Sequence, residues 1–180
     1  MKPLLFFLGT CLTWSCLAPA QTSAHQSRPA QQVLDEWISR AEKEIVPAAE
    51  AMPSEKYSFA PSGGEFRSVR SFGEQVKHLS AANYQLAALI LGEGPPHGER
   101  NESAPDSLKK KEEIVEYLKA SFEYLHKAAA RVNDDNLLQL LPAQRTRMGI
   151  IVDAVAHSYD HYGQMVEYLR MNNIVPPASR

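Results

Sequence analysis

The stretch Ala154-Val155-Ala156-His157-Ser158-Tyr159-Asp160-His161-Tyr162-Gly163-Gln164 carries two histidines four residues apart in a run free of proline. Four residues of α-helix turn through about 400° and rise about 6 Å, so both imidazoles leave one face, one turn apart. That spacing lets two ring nitrogens reach one metal ion, and a third ligand must then come from another helix. Ser158, Tyr159 and Asp160 separate the pair, so the H-E-x-x-H protease pattern is absent and no general-base Glu follows the first histidine. The Glu-x-x-His pattern of ferritin-like di-iron bundles is also missing at these histidines.

Working outward, periodicity predicts a helix over 145–171. Met148, Ile151, Val152, Val155, Tyr159, Tyr162, Val166 and Leu169 form one apolar side, and Ala154, His157, His161, Gln164 and Tyr168 form the adjacent face. Helices are also predicted over 33–52, 71–91 and 107–131. The first has a stripe of Val33, Trp37, Ile38, Ala41, Ile45 and Ala49, with Pro47 expected to kink or split it. The second opens on Ser71 and Glu74, spaced as a capping box, and ends at Gly92. Ile114, Tyr117, Leu118, Ser121, Leu125 and Ala128 give the third its core face. No strand pattern appears. The fold class is therefore all-α, a four-helix bundle with long connecting loops. The connections at 53–71 and 92–106 suit crossovers better than a simple up-down array. Tyr57 and Phe59 are expected to be buried under the first of them.

A length of 180 residues bounds this to one domain, and a net charge of -2 argues against a nucleic-acid partner. Lys2, the apolar run from Leu4 to Leu17 and Ala18-Pro19-Ala20 together predict a signal peptide over 1–20, cleaved after Ala20. The polar stretch 21–31 reads as a disordered leader, and 32–177 as the bundle domain. The chain is thus expected to be exported, periplasmic or secreted, with no stable membrane span once the signal is removed. Both cysteines, Cys11 and Cys16, fall inside the signal, so the mature chain has no thiolate ligand or thiol nucleophile.

The third ligand is sought among the remaining histidines. His25 lies in the leader and His97 in a Pro- and Gly-rich loop, where solvation is the simplest role. His78 lies beside the apolar stripe of the second helix, and His126 on the flank of the third is the substitute. A set of His78, His157 and His161 has the composition of a three-histidine centre with an open position for water or substrate. Gln164, one turn beyond His161, is placed to orient a ligand. Asn101-Glu102-Ser103 matches a glycosylation sequon, a pattern short enough to recur by chance.

Residues 52–78, MPSEKYSFAPSGGEFRSVRSFGEQVKH, followed by His157-x-x-x-His161-Tyr162-Gly163-Gln164, resemble the DinB superfamily, also called the DinB/YfiT-like metalloenzymes. The likeness runs from about residue 33 to 177. It implies a four-helix bundle and one divalent metal ion held by His78, His157 and His161. Many members carry Arg where this chain has Tyr162, which leaves that Arg's role unfilled here. Some members resemble metal-dependent transferases that join a low-molecular-weight thiol such as bacillithiol to an electrophile, and a related branch isomerises with mycothiol. Such thiols are chiefly cytoplasmic. Export thus weighs against a thiol substrate, and the chain is expected to be a metal-dependent hydrolase or a thiol or other group transferase acting on a small-molecule substrate. The alternative is a non-catalytic metal- or ligand-binding helical bundle. Zinc, nickel, iron and manganese all accept imidazole, so the sequence does not select among them. The resemblance also implies a homodimer formed through the metal ends of the helices.

Overall fold

A computed structural model of the chain describes residues 27–63, 69–142 and 144–180. The signal expected over 1–20, most of the leader, His25 and Phe66 lie outside the described residues. Among the described residues, four long helices make up the fold: α1 (Ala30–Ala51), α2 (Phe72–Leu91), α3 (Lys111–Ala129) and α4 (Arg147–Met171). The main contacts pair α2 with α3, α1 with α4, α2 with α4 and α1 with α3. The helices thus run round the bundle in the order α1, α3, α2, α4. Consecutive helices α1 and α2 stand on a diagonal, as do α3 and α4, which is why their connections must cross an end of the bundle. None of the described helices is long and apolar enough to cross a membrane.

Local chemistry sets the helix ends. Ser71 and Glu74 form the expected capping box: the Ser71 backbone N–H donates to the Glu74 carboxylate at 2.7 Å, and the Glu74 N–H donates to Ser71 Oγ at 3.4 Å. At the other end Gly92 takes φ 72, and its N–H donates to the Ala88 carbonyl. Helix α3 starts at Lys111, four residues later than its periodicity suggested. There the Glu113 carboxylate folds back to accept the N–H groups of Lys109 and Lys110, fixing the first turn. Pro47 does not split α1, which runs unbroken to Ala51. The carbonyl that loses its donor belongs to Lys43, an exposed residue on the solvent side of the helix.

The crossing at 53–71 is tied to α2 rather than draped over it. Tyr57 is buried and Phe59 half-buried. The Tyr57 hydroxyl donates to the Ala49 carbonyl at 2.7 Å, and its ring meets the edge of Phe72 at 5.4 Å. The carbonyls of Phe59 and Tyr57 accept the N–H groups of Phe72 and Gly73, both at 2.8 Å, so the connection satisfies two otherwise orphan donors of α2. Gly73 permits this approach. A Cβ there would stand 3.0 Å from Tyr57 Cδ1 and 3.2 Å from the Tyr57 carbonyl oxygen. Alanine gains roughly 1 kcal/mol in helix propensity but overpacks a tight contact at a cost of roughly 1–3 kcal/mol. Gly73→Ala is therefore expected to destabilise the fold by about 1 kcal/mol, read as a lower urea midpoint; an unchanged or higher midpoint contradicts the packing argument.

Three features correct the sequence expectations. The connection at 92–106 is not a crossover, because it joins the neighbouring helices α2 and α3; the second crossing is the α3–α4 connection. A short antiparallel hairpin, β1 (Leu140–Leu141) with β2 (Arg145–Thr146), leads into α4 where only an apolar linker was expected. The inward faces are also rotated from the apolar stripes: Trp37 is 48% exposed and Val152 54% exposed. In α4 the buried face is Ile150, Ile151, Ala154, Ser158, His161, Met165, Tyr168 and Leu169. Ala154, Ser158 and His161 thus share the core line of α4 with Ile150, Ile151, Met165 and Leu169, while Val155, Tyr159, Tyr162 and Val166 are only partly buried beside it.

Candidate metal centre

His78 projects from the middle of α2, and His157 and His161 from adjacent turns of α4. The packing of α2 on α4 brings the three rings together. One nitrogen of each lies within 4.8 Å of the others, and the Nε2 atoms of His157 and His161 are 3.0 Å apart. The His78 ring stands edge to face against both, with centroids 5.2 Å from His157 and 4.7 Å from His161. His161 is 5% exposed and His78 8% exposed. Two imidazoles bound to one ion at ~2.1 Å in tetrahedral arrangement have nitrogens about 3.4 Å apart. The cluster approaches that spacing on the α4 side, and the His78 nitrogen stands within 4.8 Å of both partners.

An amide clasp holds the two helices in this register. One turn before His78 stands Gln75, and one turn after His161 stands Gln164; Gln75 Nε2 donates to Gln164 Oε1 at 2.7 Å. Gln164 in turn donates to Asp160 at 3.3 Å. Its amide therefore spans α2 and α4 beside the cluster, and its hydrogen-bond partners are these two side chains rather than an imidazole.

The electrostatics favour neutral rings at His161 and His78. Burial pushes the His161 imidazolium down to about 4, helped by the positive charges that His157 and His78 would carry and opposed by Asp160. His78 is also lowered, first by burial and then by the Arg70 charge, against the raising effect of the Glu102 carbonyl and carboxylate. Neutral imidazole is the form that ligates a cation. The Nδ1 atoms of His157 and His161 are buried and have no hydrogen-bond partner among the described residues. Three converging imidazole nitrogen donors fit a borderline divalent cation of the zinc, iron, nickel or manganese type.

His126 takes no part in this cluster. Its Nδ1 meets Asp35 at 2.6 Å and its Nε2 meets Glu42 at 3.3 Å, joining α3 to α1. Those carboxylates lie on opposite nitrogens of the ring and do not converge on one point. His97 is exposed and packs on Tyr84 and Tyr117, with centroids 5.2 and 5.5 Å away.

A residue that the sequence did not single out also reaches the cluster. The Glu102 carbonyl oxygen lies 3.1 Å from His78 Nδ1, and its carboxylate lies 3.3 Å from His78 Nε2. A cavity of about 380 Å³ opens beside His78, lined by Arg70, Glu74, Lys77, Glu102 and Ser103 among others. No local pattern flags Glu102, because its approach depends on the fold of the α2–α3 connection.

Among known families, the model of the DinB superfamily matches residues 38–165, a span that includes all three histidines of the cluster. No curated protein matches the chain.

Proposed function

The chain belongs to the DinB superfamily, and on that premise we propose that it is an exported protein in which His78, His157 and His161 bind one divalent metal ion for hydrolase or group-transfer chemistry. The observation that carries this is the convergence of three imidazole nitrogens, from two helices, within 4.8 Å of one another. When bound, such an ion supplies Lewis acidity to a group at its open position. The chain's own residues would do the rest. Burial keeps His161 neutral and ready to ligate. The Gln75–Gln164 clasp fixes the helix register. The cavity beside His78 admits a small molecule, and Arg70, Lys77, Glu74 and Glu102 on its border offer groups of both charge signs to it. Export rests on the signal expected over 1–20, and a small-molecule substrate and a homodimer belong to the same reading.

The test is elemental analysis of the purified mature chain, with the expected result of about one divalent ion per chain. The absence of binding to zinc, nickel, iron and manganese alike overturns the proposal. The metal-loaded protein is then assayed with thiols plus an electrophile and with simple esters. Turnover that disappears on chelation supports the enzyme, whereas flat rates throughout favour the non-catalytic binding bundle.

A further inference from the structure

We propose that a second, separate site on this chain binds a small methylated ammonium compound, in the cavity between α2, α3 and the connection that joins them. That cavity, of about 370 Å³, is lined by Tyr84 of α2, by Pro96 and His97 of the connection, and by Glu123, Tyr124 and Lys127 of α3, among others. On α2, Tyr84 stands six residues after His78. That is about 240° round the helix and ~9 Å along it, so this wall is not part of the histidine centre. Its aromatic side is continuous. The Tyr84 ring lies 5.2 Å from His97 and 5.5 Å from Tyr124, centre to centre, and Tyr117 packs on it at 5.1 Å. Aromatic faces carry the negative part of a quadrupole and attract a cation laid against them. Lys127 shows the effect within the chain itself: its Nζ stands 5.2 Å from the centre of the Tyr124 ring.

The charges around this wall point the same way. Glu99 is 5% exposed, yet its carboxylate oxygens are held by uncharged donors, the Tyr117 hydroxyl at 2.6 Å and the His97 backbone N–H at 3.0 Å. Among the described residues no cation pairs with it, and a buried carboxylate without a counter-charge is costly. Glu93 accepts from the Tyr124 hydroxyl and pairs with Lys127 at 3.2 Å, and Glu123 stands exposed on the rim. Three carboxylates thus face one lysine at the wall, with Arg131 acting on Glu93. Burial, then the charges of Glu99 and Glu123, push the Tyr84 phenol up to about 12, which records the negative field there. The oxygens of Glu99 are taken, and Glu93 already accepts from two donors, so both supply field rather than fresh hydrogen bonds. A primary ammonium surrenders strong hydration and needs acceptors in return, whereas a methylated one needs little beyond field and aromatic contact. Tyr84 adds a polar anchor. It is 3% exposed and lines the cavity, and its hydroxyl, unlike those of Tyr117 and Tyr124, has no hydrogen-bond partner among the described residues. A ligand with a hydroxyl beside its ammonium group supplies that partner.

The experiment titrates the full chain with choline chloride, followed by calorimetry and by amide NMR shifts, against sodium chloride of equal ionic strength. Saturable binding at a single site is expected. Tyr124→Leu should weaken it at least about fivefold, the loss of one cation–aromatic contact. Tyr84→Phe should weaken choline about threefold and leave tetramethylammonium, which has no hydroxyl, unchanged. Lys127→Met should tighten choline at least about threefold, because the resident ammonium competes for the Tyr124 face. Lys127 is exposed, so this variant does not threaten the fold. Dimethylbutanol, the uncharged carbon isostere of choline, should bind at least about tenfold more weakly. Equal affinity for choline and dimethylbutanol overturns the proposal, because the cavity would then select bulk and not charge. So does the lack of saturable choline binding, or a Lys127→Met chain that binds choline no tighter than the parent.

Discussion

Replacing His161 with alanine is expected to abolish metal retention in the purified protein. A structural zinc site with four ligands contributes roughly 10–16 kcal/mol of binding free energy, or about 3 kcal/mol per ligand. Losing one ligand therefore weakens affinity on the order of a hundredfold, enough to strip the ion during dialysis. His161 is the most telling position because it lies on the core line of α4, 5% exposed, between Ser158 and Met165. His157→Ala removes the partner whose Nε2 stands 3.0 Å away and should have the same effect on metal content. The metal-free fold should survive either change. The His161 ring leaves a buried Nδ1 without a partner among the described residues, so its removal discards an unsatisfied polar atom along with some packing. Elemental analysis and chelator competition on the parent chain and both variants decide the matter. Equal metal content in all three would show that the ring cluster is a packing feature and not a ligand set.

How much of this centre the sequence disclosed depends on which kind of signal each residue carries. The H-x-x-x-H spacing is local, and helical geometry converts it directly into a shared face. His78 was harder to place, since its meeting with the pair depends on how α2 packs on α4. The packing of α2 on α4 does bring its ring to the pair. Periodicity located all four helices, yet it misjudged which side of α4 faces inward. The largest apolar residues define the predicted stripe, whereas Ala154 and Ser158 occupy the line where close helix approach leaves no room for bulk. The β1–β2 hairpin has two residues per strand, too few for alternation to register. Glu102 was invisible for a different reason. Its neighbours spell a sequon, and only the left-handed turn at Asn101 and Glu102 turns its oxygens towards His78.

Acidifying the metal-free protein from pH 7 to pH 4 should lower its stability by about 3 kcal/mol through His161 alone. The folded-state pKa of this ring is pushed down to about 4, chiefly by burial, whereas an unfolded histidine titrates near ~6.5. Between those values the unfolded chain binds the proton and the folded chain does not. Stability therefore rises with pH through this window: it is fully present above about 6.5, is lost as pH falls towards 4, and changes no further below that through this group. A separation of about 2.5 units at ~1.36 kcal/mol each gives the magnitude. His78 is shifted in the same direction and steepens the loss. Carboxylates with lowered pKa, such as the capping Glu74, also lose stability in acid, so the parent curve alone does not isolate the histidine. His161→Gln does, because a neutral side chain replaces the titrating one and leaves the carboxylates in place. Urea unfolding at a series of pH values, with a chelator present, should show a shallower slope for His161→Gln between pH 4 and 6.5. Parallel slopes would mean that the ring takes up its proton as readily in the folded protein as in the unfolded chain. The burial that keeps His161 ready for a metal would then be absent in solution.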